Sequence, residues 1–226
     1  MDYYNNVMGL SENLFTGVKI LEEVESKANG KIVVVKRLGF GTYIQVEGLT
    51  QSGSVVYDVW RSTLRKVKKS KIPIKNILIL GLGGGSTAII SRKYWPNSNI
   101  TGVDVDPVIV EMGGKYMGLG DVEMDIRICD GEKFVREAVK DKRKYDLVLI
   151  DMYVGYEVPD KFEKRDFLEK VRSLIDGNGL VVFNRLYFGE KRKLAIKFAD
   201  KLEEIFPLVN YFYPEANIMF ICKGKE

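Results

Sequence analysis

The run Ile77-Leu78-Ile79-Leu80-Gly81-Leu82-Gly83-Gly84-Gly85-Ser86 decides how this chain folds. Apolar residues follow one another without polar alternation, so a strand here is buried on both faces. The glycines after it let the backbone turn sharply and leave no Cβ between chain and ligand. A helix-length segment follows, near residues 86–95. Strand, glycine loop and helix in this order open a nucleotide-binding α/β unit. The Gly81-x-Gly83-Gly84-Gly85 spacing alone equally suits tight strand–helix packing, so its surroundings have to decide.

Downstream, apolar runs at 76–80, 100–103, 126–129, 147–150 and 180–184 alternate with helix-length segments near 86–95, 107–117, 131–140, 163–175 and 190–205. That alternation predicts a parallel sheet covered on both faces. Segments 207–213 and 217–222 flank Pro214-Glu215-Ala216 and read as an antiparallel hairpin. A mostly parallel Rossmann-like sheet closed by an antiparallel C-terminal strand is typical of the class I methyltransferase fold. Upstream, the Val-, Ile- and Tyr-rich runs 18–24, 31–37 and 42–47 are punctuated by Asn29-Gly30 and Gly39-Phe40-Gly41, which predicts a small antiparallel meander. Tyr57, Trp60, Leu64 and Val67 then fall at helical spacing. The chain therefore divides into a small N-terminal β module, residues 1–54, and a Rossmann-like domain, residues 55–226.

Three strands after the glycine loop each end in a carboxylate. The second ends in Val103-Asp104-Val105-Asp106, roughly 20 residues on, where such domains place the acid that accepts from ribose hydroxyls. Asp106 precedes Pro107 and suits a helix N-cap, which leaves Asp104 for the ribose, with Val105 beside it in the cofactor site. The third strand ends in Cys129-Asp130-Gly131 and the fourth in Ile150-Asp151. Each acid alone could be a cap. Together, on the edge where open α/β sheets bind ligands, they mark a site. A nicotinamide dinucleotide is disfavoured, because consecutive glycines depart from the spaced GxGxxG loop and the third-strand Asp130-Gly131 is not a dehydrogenase hallmark.

Composition prunes the chemistry. The 226 residues carry a formal charge of only +4, and no basic stripe interleaved with aromatics suggests nucleic acid. Lys66, Lys68, Lys69 and Lys71 read as a solvated helix end. The chain has no histidine, which excludes imidazole acid–base work and histidine metal sites, and no metal is expected. Cys129 and Cys222 lack CxxC spacing and read as buried free thiols. The first 15 residues lack a basic n-region and an apolar h-region, and no run approaches the roughly 20 apolar residues that span a bilayer. A cytoplasmic location without membrane partners is the expectation.

From about Gly17 onward the chain resembles the spermidine synthase family and its methyltransferase relatives. Phe40-Gly41-Thr42-Tyr43-Ile44-Gln45-Val46-Glu47-Gly48-Leu49-Thr50-Gln51 is similar to that family's final small-domain strand and Asp-Gly-x-x-Gln turn. Tyr57 falls where the family has the tyrosine opening its gate helix. Gly81–Ser86, Asp104, Asp130-Gly131 and Asp151 match its glycine loop, ribose acid, adenine-contacting pair and catalytic aspartate. The resemblance implies an adenosyl sulfonium donor, held by Gln51, Gly81, Gly83, Gly84, Gly85, Asp104, Val105, Asp130, Gly131 and Asp151. Gln51 and Tyr57 would face its reactive end, with Asp151 and Tyr57 the catalytic pair. It also implies a homodimer through the small β domain.

Two departures carry the choice of reaction. Aminopropyltransferases of the family hold the donor's amine with an aspartate inside the glycine loop, and here that position is Gly84. They bind the acceptor diamine with a second aspartate three residues after the catalytic one, and here that position is Val154. Without the loop acid, repulsion of a methionine carboxylate disappears, and free loop N–H groups would donate to it. Losing one partner of a buried charge pair costs on the order of 3–5 kcal/mol, which disfavours a diamine. Short patterns such as Phe167-Leu168-Glu169-Lys170-Val171 and Ile205-Phe206-Pro207-Leu208 resemble the methyltransferase branch. The expectation is methyl transfer from S-adenosylmethionine to a small-molecule or protein amine. Tyr153 and Tyr156 are placed at the acceptor pocket. The alternatives are an aminopropyltransferase using decarboxylated S-adenosylmethionine, with Glu157 or Asp160 supplying the missing charge, and a non-catalytic nucleoside-binding protein.

Overall fold

A computed structural model describes residues 17–224. The leader reading rests on residues 1–15 and lies outside them. The chain opens with four antiparallel strands, β1 (Val18–Ser26), β2 (Gly30–Arg37), β3 (Gly41–Val46) and β4 (Leu49–Gly53), paired in sequence order. Helix α1 (Ser54–Lys69) leads into the alternating part: β5 (Asn76–Leu80), α2 (Ser86–Tyr94), β6 (Asn99–Asp104), α3 (Pro107–Tyr116), β7 (Asp125–Ile128), α4 (Gly131–Lys140) and β8 (Tyr145–Ile150). Helix α5 (Arg165–Ser173), β9 (Ile175–Leu186), α6 (Lys191–Ile205), β10 (Leu208–Phe212) and β11 (Asn217–Lys223) complete it.

The second sheet runs β10-β11-β9-β8-β5-β6-β7, with β5, β6, β7, β8 and β9 parallel and the β10–β11 hairpin antiparallel at one edge. The predicted α/β class, a mostly parallel sheet with an antiparallel C-terminal strand beside a small β sheet, is the fold observed. Strand order reverses between β5 and β8, and such a switch point leaves a crevice at the strands' C-terminal ends.

Side-chain alternation in the central strands builds two cores. Leu78, Leu80, Val148 and Ile150 pack with Phe134, Phe167 and Phe198 from α4, α5 and α6. Ile77, Ile79, Leu147 and Leu149 pack on the opposite face with Trp60, Leu64 and Ile90 from α1 and α2. Each such buried aliphatic or aromatic side chain contributes roughly 1.5–3 kcal/mol. Helix α3 serves the small sheet instead: Ile109 and Met112 join Ile32, Val34, Ile44 and Val46 in a third core.

Four expectations are corrected. β4 is a strand of its own, where residues 49–51 read as a turn, and α1 starts at Ser54, before Tyr57. The sheet is not covered at its β7 edge, where Ile126 and Ile128 are 39% and 47% exposed. Cys222 is buried, but Cys129 is only half-buried.

Candidate active site

A cavity of about 240 Å³ lies at the C-terminal ends of β5, β6 and β8. Gly81, Gly83, Asp104, Val105, Asp130, Gly131, Asp151 and Gln51 all line it, so the structure gathers these sequence-predicted residues into one place. Gly84, Gly85 and Tyr57 are not among its lining residues. Tyr57 is half-buried against the core under α1, and Val56 is the α1 residue that reaches the cavity.

The glycine loop begins where the backbone must pass closest to β8. Gly81 has φ +85°, and a Cβ there would stand 2.0 Å from the Asp151 carbonyl oxygen. Gly84 is required for a different reason. A Cβ on it would meet Ile44 Cδ1 at 2.6 Å and Ser52 Cβ at 2.9 Å, because the small sheet packs directly onto the loop. Gly84 N–H donates to Ser52 Oγ at 2.8 Å, and Gly53 N–H donates to Ser86 Oγ at 2.8 Å. These bonds pin β4 to the loop and so deliver Gln51.

The expectation of free loop N–H groups is not met. Gly81 and Leu82 donate to the Val103 carbonyl, Gly83 to Asp104 Oδ2 at 2.7 Å, Gly84 to Ser52, and Gly85 to the Leu82 carbonyl. Each amide is spent on holding the loop. Two other groups at this wall can donate. Gln51 Nε2 is buried without a hydrogen-bond partner. Ser52 uses its oxygen as an acceptor, which leaves its own proton to give.

Asp104 accepts from the N–H groups of Gly83 and Asp106, the second at 3.0 Å. Burial raises its pKa, against the opposing effect of these bonds. Asp106 caps α3, accepting from Val108 N–H at 2.9 Å with Pro107 next in line, as the sequence suggests. Asp130 also caps a helix: its Oδ1 accepts from Lys133 N–H at 3.0 Å, and its Oδ2 is paired with the Lys161 ammonium. A carboxylate has about four lone-pair positions, so Asp130 keeps room for a further donor.

Asp151 sits between two neutral donors. Trp60 Nε1–H donates to Oδ2 at 2.7 Å and Asn184 Nδ2–H to Oδ1 at 2.8 Å, while Asn217 Nδ2–H fixes the Asn184 amide from behind at 2.8 Å. Burial raises the pKa of Asp151, and the two hydrogen bonds and nearby Arg185 pull the other way. Arg185 is buried beneath this region, its guanidinium 3.8 Å from the Phe198 ring centroid and its Nε 3.5 Å from Glu163 Oε1. Tyr153 lines the cavity, and its hydroxyl accepts from Leu186 N–H at 2.8 Å; burial pushes it up to about 12. Val154 is 52% exposed at the rim. Tyr156, Glu157 and Asp160 do not line the cavity, and Glu157 is paired with Lys191. Among the described residues no group of three or more His, Cys, Asp or Glu could hold a metal, and no helix is long and apolar enough to cross a membrane.

Sequence reasoning missed Trp60, Ser52, Asn184 and Lys161. Asn184 carried a signal, as a polar residue closing the apolar run 180–184; Trp60 carried none, because its helical spacing reads as core.

The fold is an α/β architecture of the class I methyltransferase type. The spermine/spermidine synthase domain model matches residues 58–221, and the chain belongs to that family. An eEF1A lysine and N-terminal methyltransferase from Xenopus laevis is 26% identical over 161 residues, covering 67% of this chain and 23% of that protein. A polyamine aminopropyltransferase from Vibrio vulnificus is 29% identical over 111 residues, 49% of this chain and 37% of that protein. The chain thus spans well under half the length of either. The crystal structure of spermidine synthase from Thermotoga maritima superposes with a TM-score of 0.75 at 18% identity, over 91% of this chain and 73% of that one.

Proposed function

We propose that the protein transfers a methyl group from S-adenosylmethionine to an amine. One observation carries this reading. At the loop position where aminopropyltransferases hold the donor's amine with an acid, Gly84 is packed against Ile44 and Ser52, and the groups beside it, Gln51 Nε2 and the Ser52 hydroxyl, are donors. The Gln51 amide N–H and the Ser52 hydroxyl proton suit the carboxylate of S-adenosylmethionine, which the decarboxylated form lacks, and position 84 carries no acid for a lone ammonium. A buried amide with no partner also fits a site built for a polar ligand.

Bound there, the donor supplies a methyl group already activated by its sulfonium. The chain's part is to hold and align. Asp104 accepts from the ribose hydroxyls, and Asp130 from the adenine amino group. Gln51 and Ser52 donate to the methionine carboxylate. Asp151, oriented by Trp60 and Asn184, holds the acceptor amine through a free lone pair and takes its proton; the raised pKa makes it a stronger base than a solvated carboxylate.

Family relatives bear both names, so an aminopropyltransferase is the competing reading. It requires a replacement for the acceptor acid. Glu157 is committed to Lys191, and Asp160 lines a different groove. Incubation with each donor in turn and a panel of amines separates the two: S-adenosylhomocysteine is the expected product, and methylthioadenosine would sink the proposal.

A further inference from the structure

We propose that Arg185 is a positioning residue for the acceptor acid: its buried guanidinium supplies the positive charge that keeps Asp151 ionised and able to take a proton from the amine. This deepens the reading above and rests on the role given there to Asp151.

The groups that grip Asp151 are neutral. The Trp60 indole and the Asn184 amide donate hydrogen bonds but bring no charge. Tyr153, in the loop after β8, is pushed up to about 12 and stays a phenol. A buried carboxyl group with only neutral neighbours keeps its proton, and a protonated carboxyl cannot accept another. Elsewhere along the cavity, the Lys161 ammonium is paired with Asp130, and Asp104 is a further acid. Lys191 of α6 is committed to Glu157.

Arg185 follows Asn184 on β9 and is 5% exposed. Its Nη1–H donates to the Asn184 carbonyl at 2.7 Å, whereas Nε and Nη2 have no hydrogen-bond partner among the described residues. Glu163 Oε1, from the short helical turn Asp160–Glu163, stands 3.5 Å from Nε, too far for a well-formed hydrogen bond. The same carboxylate is shared with Lys201 of α6, 3.3 Å from Oε2. Phe198 of α6 offers its ring face to the guanidinium, which attracts the cation without cancelling it. A salt bridge serving structure alone would pair Arg185 squarely with Glu163 and leave no donor idle. A guanidinium stays charged in a protein, so the part left uncancelled acts on nearby acids. Asp151 feels it: burial raises its pKa, and Arg185 joins the Trp60 and Asn184 bonds in pulling it down.

Carbon-13 labelling of aspartate at Cγ reads this charge directly. The Asp151 resonance, assigned as the one missing from Asp151→Asn, is followed by NMR through a pH titration of the full chain. Arg185→Met keeps an apolar stem against Phe198 and leaves Glu163 with Lys201, so the fold is expected to hold. Its Asp151 midpoint should rise by about one pH unit. Arg185→Lys keeps the charge and should stay close to the unaltered protein. Glu163→Gln removes the competing carboxylate and should move the midpoint down. An unmoved midpoint in Arg185→Met, or an equal rise in Arg185→Lys, overturns the inference. If Arg185→Met does not fold, Glu163→Gln decides: a fall supports the inference, and a rise or no change overturns it. The titration needs neither donor nor amine, so its failure and a failure of the product assay above are told apart.

Discussion

A carboxyl group moved out of water resists ionisation, and Asp104 and Asp151 both show it, their pKa values raised chiefly by burial. For such a group the native state binds more protons than the unfolded chain between the ordinary carboxylate value, about 4, and the raised one. Stability is therefore lost as pH climbs through that window. Melting temperatures of Asp151→Asn minus those of the unaltered protein should move in the variant's favour across it. The Asn side chain turns a donor toward Trp60 or Asn184, but that penalty does not vary with pH, so the slope isolates the charge. A flat difference would contradict the burial argument. For Asp104→Ala, loss of charge-assisted hydrogen bonds worth roughly 1.5–3 kcal/mol should weaken S-adenosylhomocysteine at least tenfold by calorimetry. Unchanged affinity would remove the ribose role.

The glycine loop and its strand were legible because uninterrupted apolar residues and clustered glycines leave few alternatives. β4 was not, because Leu49–Gly53 is short and earns its place by pairing with β3 and docking on the loop, contacts invisible in local pattern. The start of α1 was hidden similarly: Val55 and Val56 favour a strand, and the change falls at Gly53 and Ser54, with φ +80° and +44°. The acids Asp104, Asp130 and Asp151 could be read from strand ends, whereas their partners Trp60, Asn184 and Lys161 come from distant elements and depend on topology. Docking of β4 on the loop makes its own prediction. Gly84→Ala would drive a Cβ into Ile44 and Ser52, and overpacking of this kind costs typically 1–3 kcal/mol. Scanning calorimetry should show a fall of several degrees, and an unchanged midpoint would mean that sheet and loop are not in close contact.

At the scale of the molecule, the two sheets line one cavity. The small sheet supplies Gln51, Ser52 and Asn29, while the large one supplies Asp104, Asp130 and Asp151. The third core, where Ile109 and Met112 of α3 meet Ile32 and Ile44, holds those contributions in register. Trp60→Phe would remove the indole N–H from Asp151 while keeping most of the packing, and should lower turnover by about tenfold or more with donor affinity unchanged. Loss of donor affinity instead would move Asp151 away from the acceptor. The most direct measurement is a crystal structure with S-adenosylhomocysteine. The sugar hydroxyls should lie within hydrogen-bonding distance of Asp104, the adenine beside Asp130, the carboxylate against Gln51 and Ser52, and the sulfur facing Asp151. A nucleoside bound elsewhere, or the crevice filled by side chains with no ligand admitted, would contradict the account.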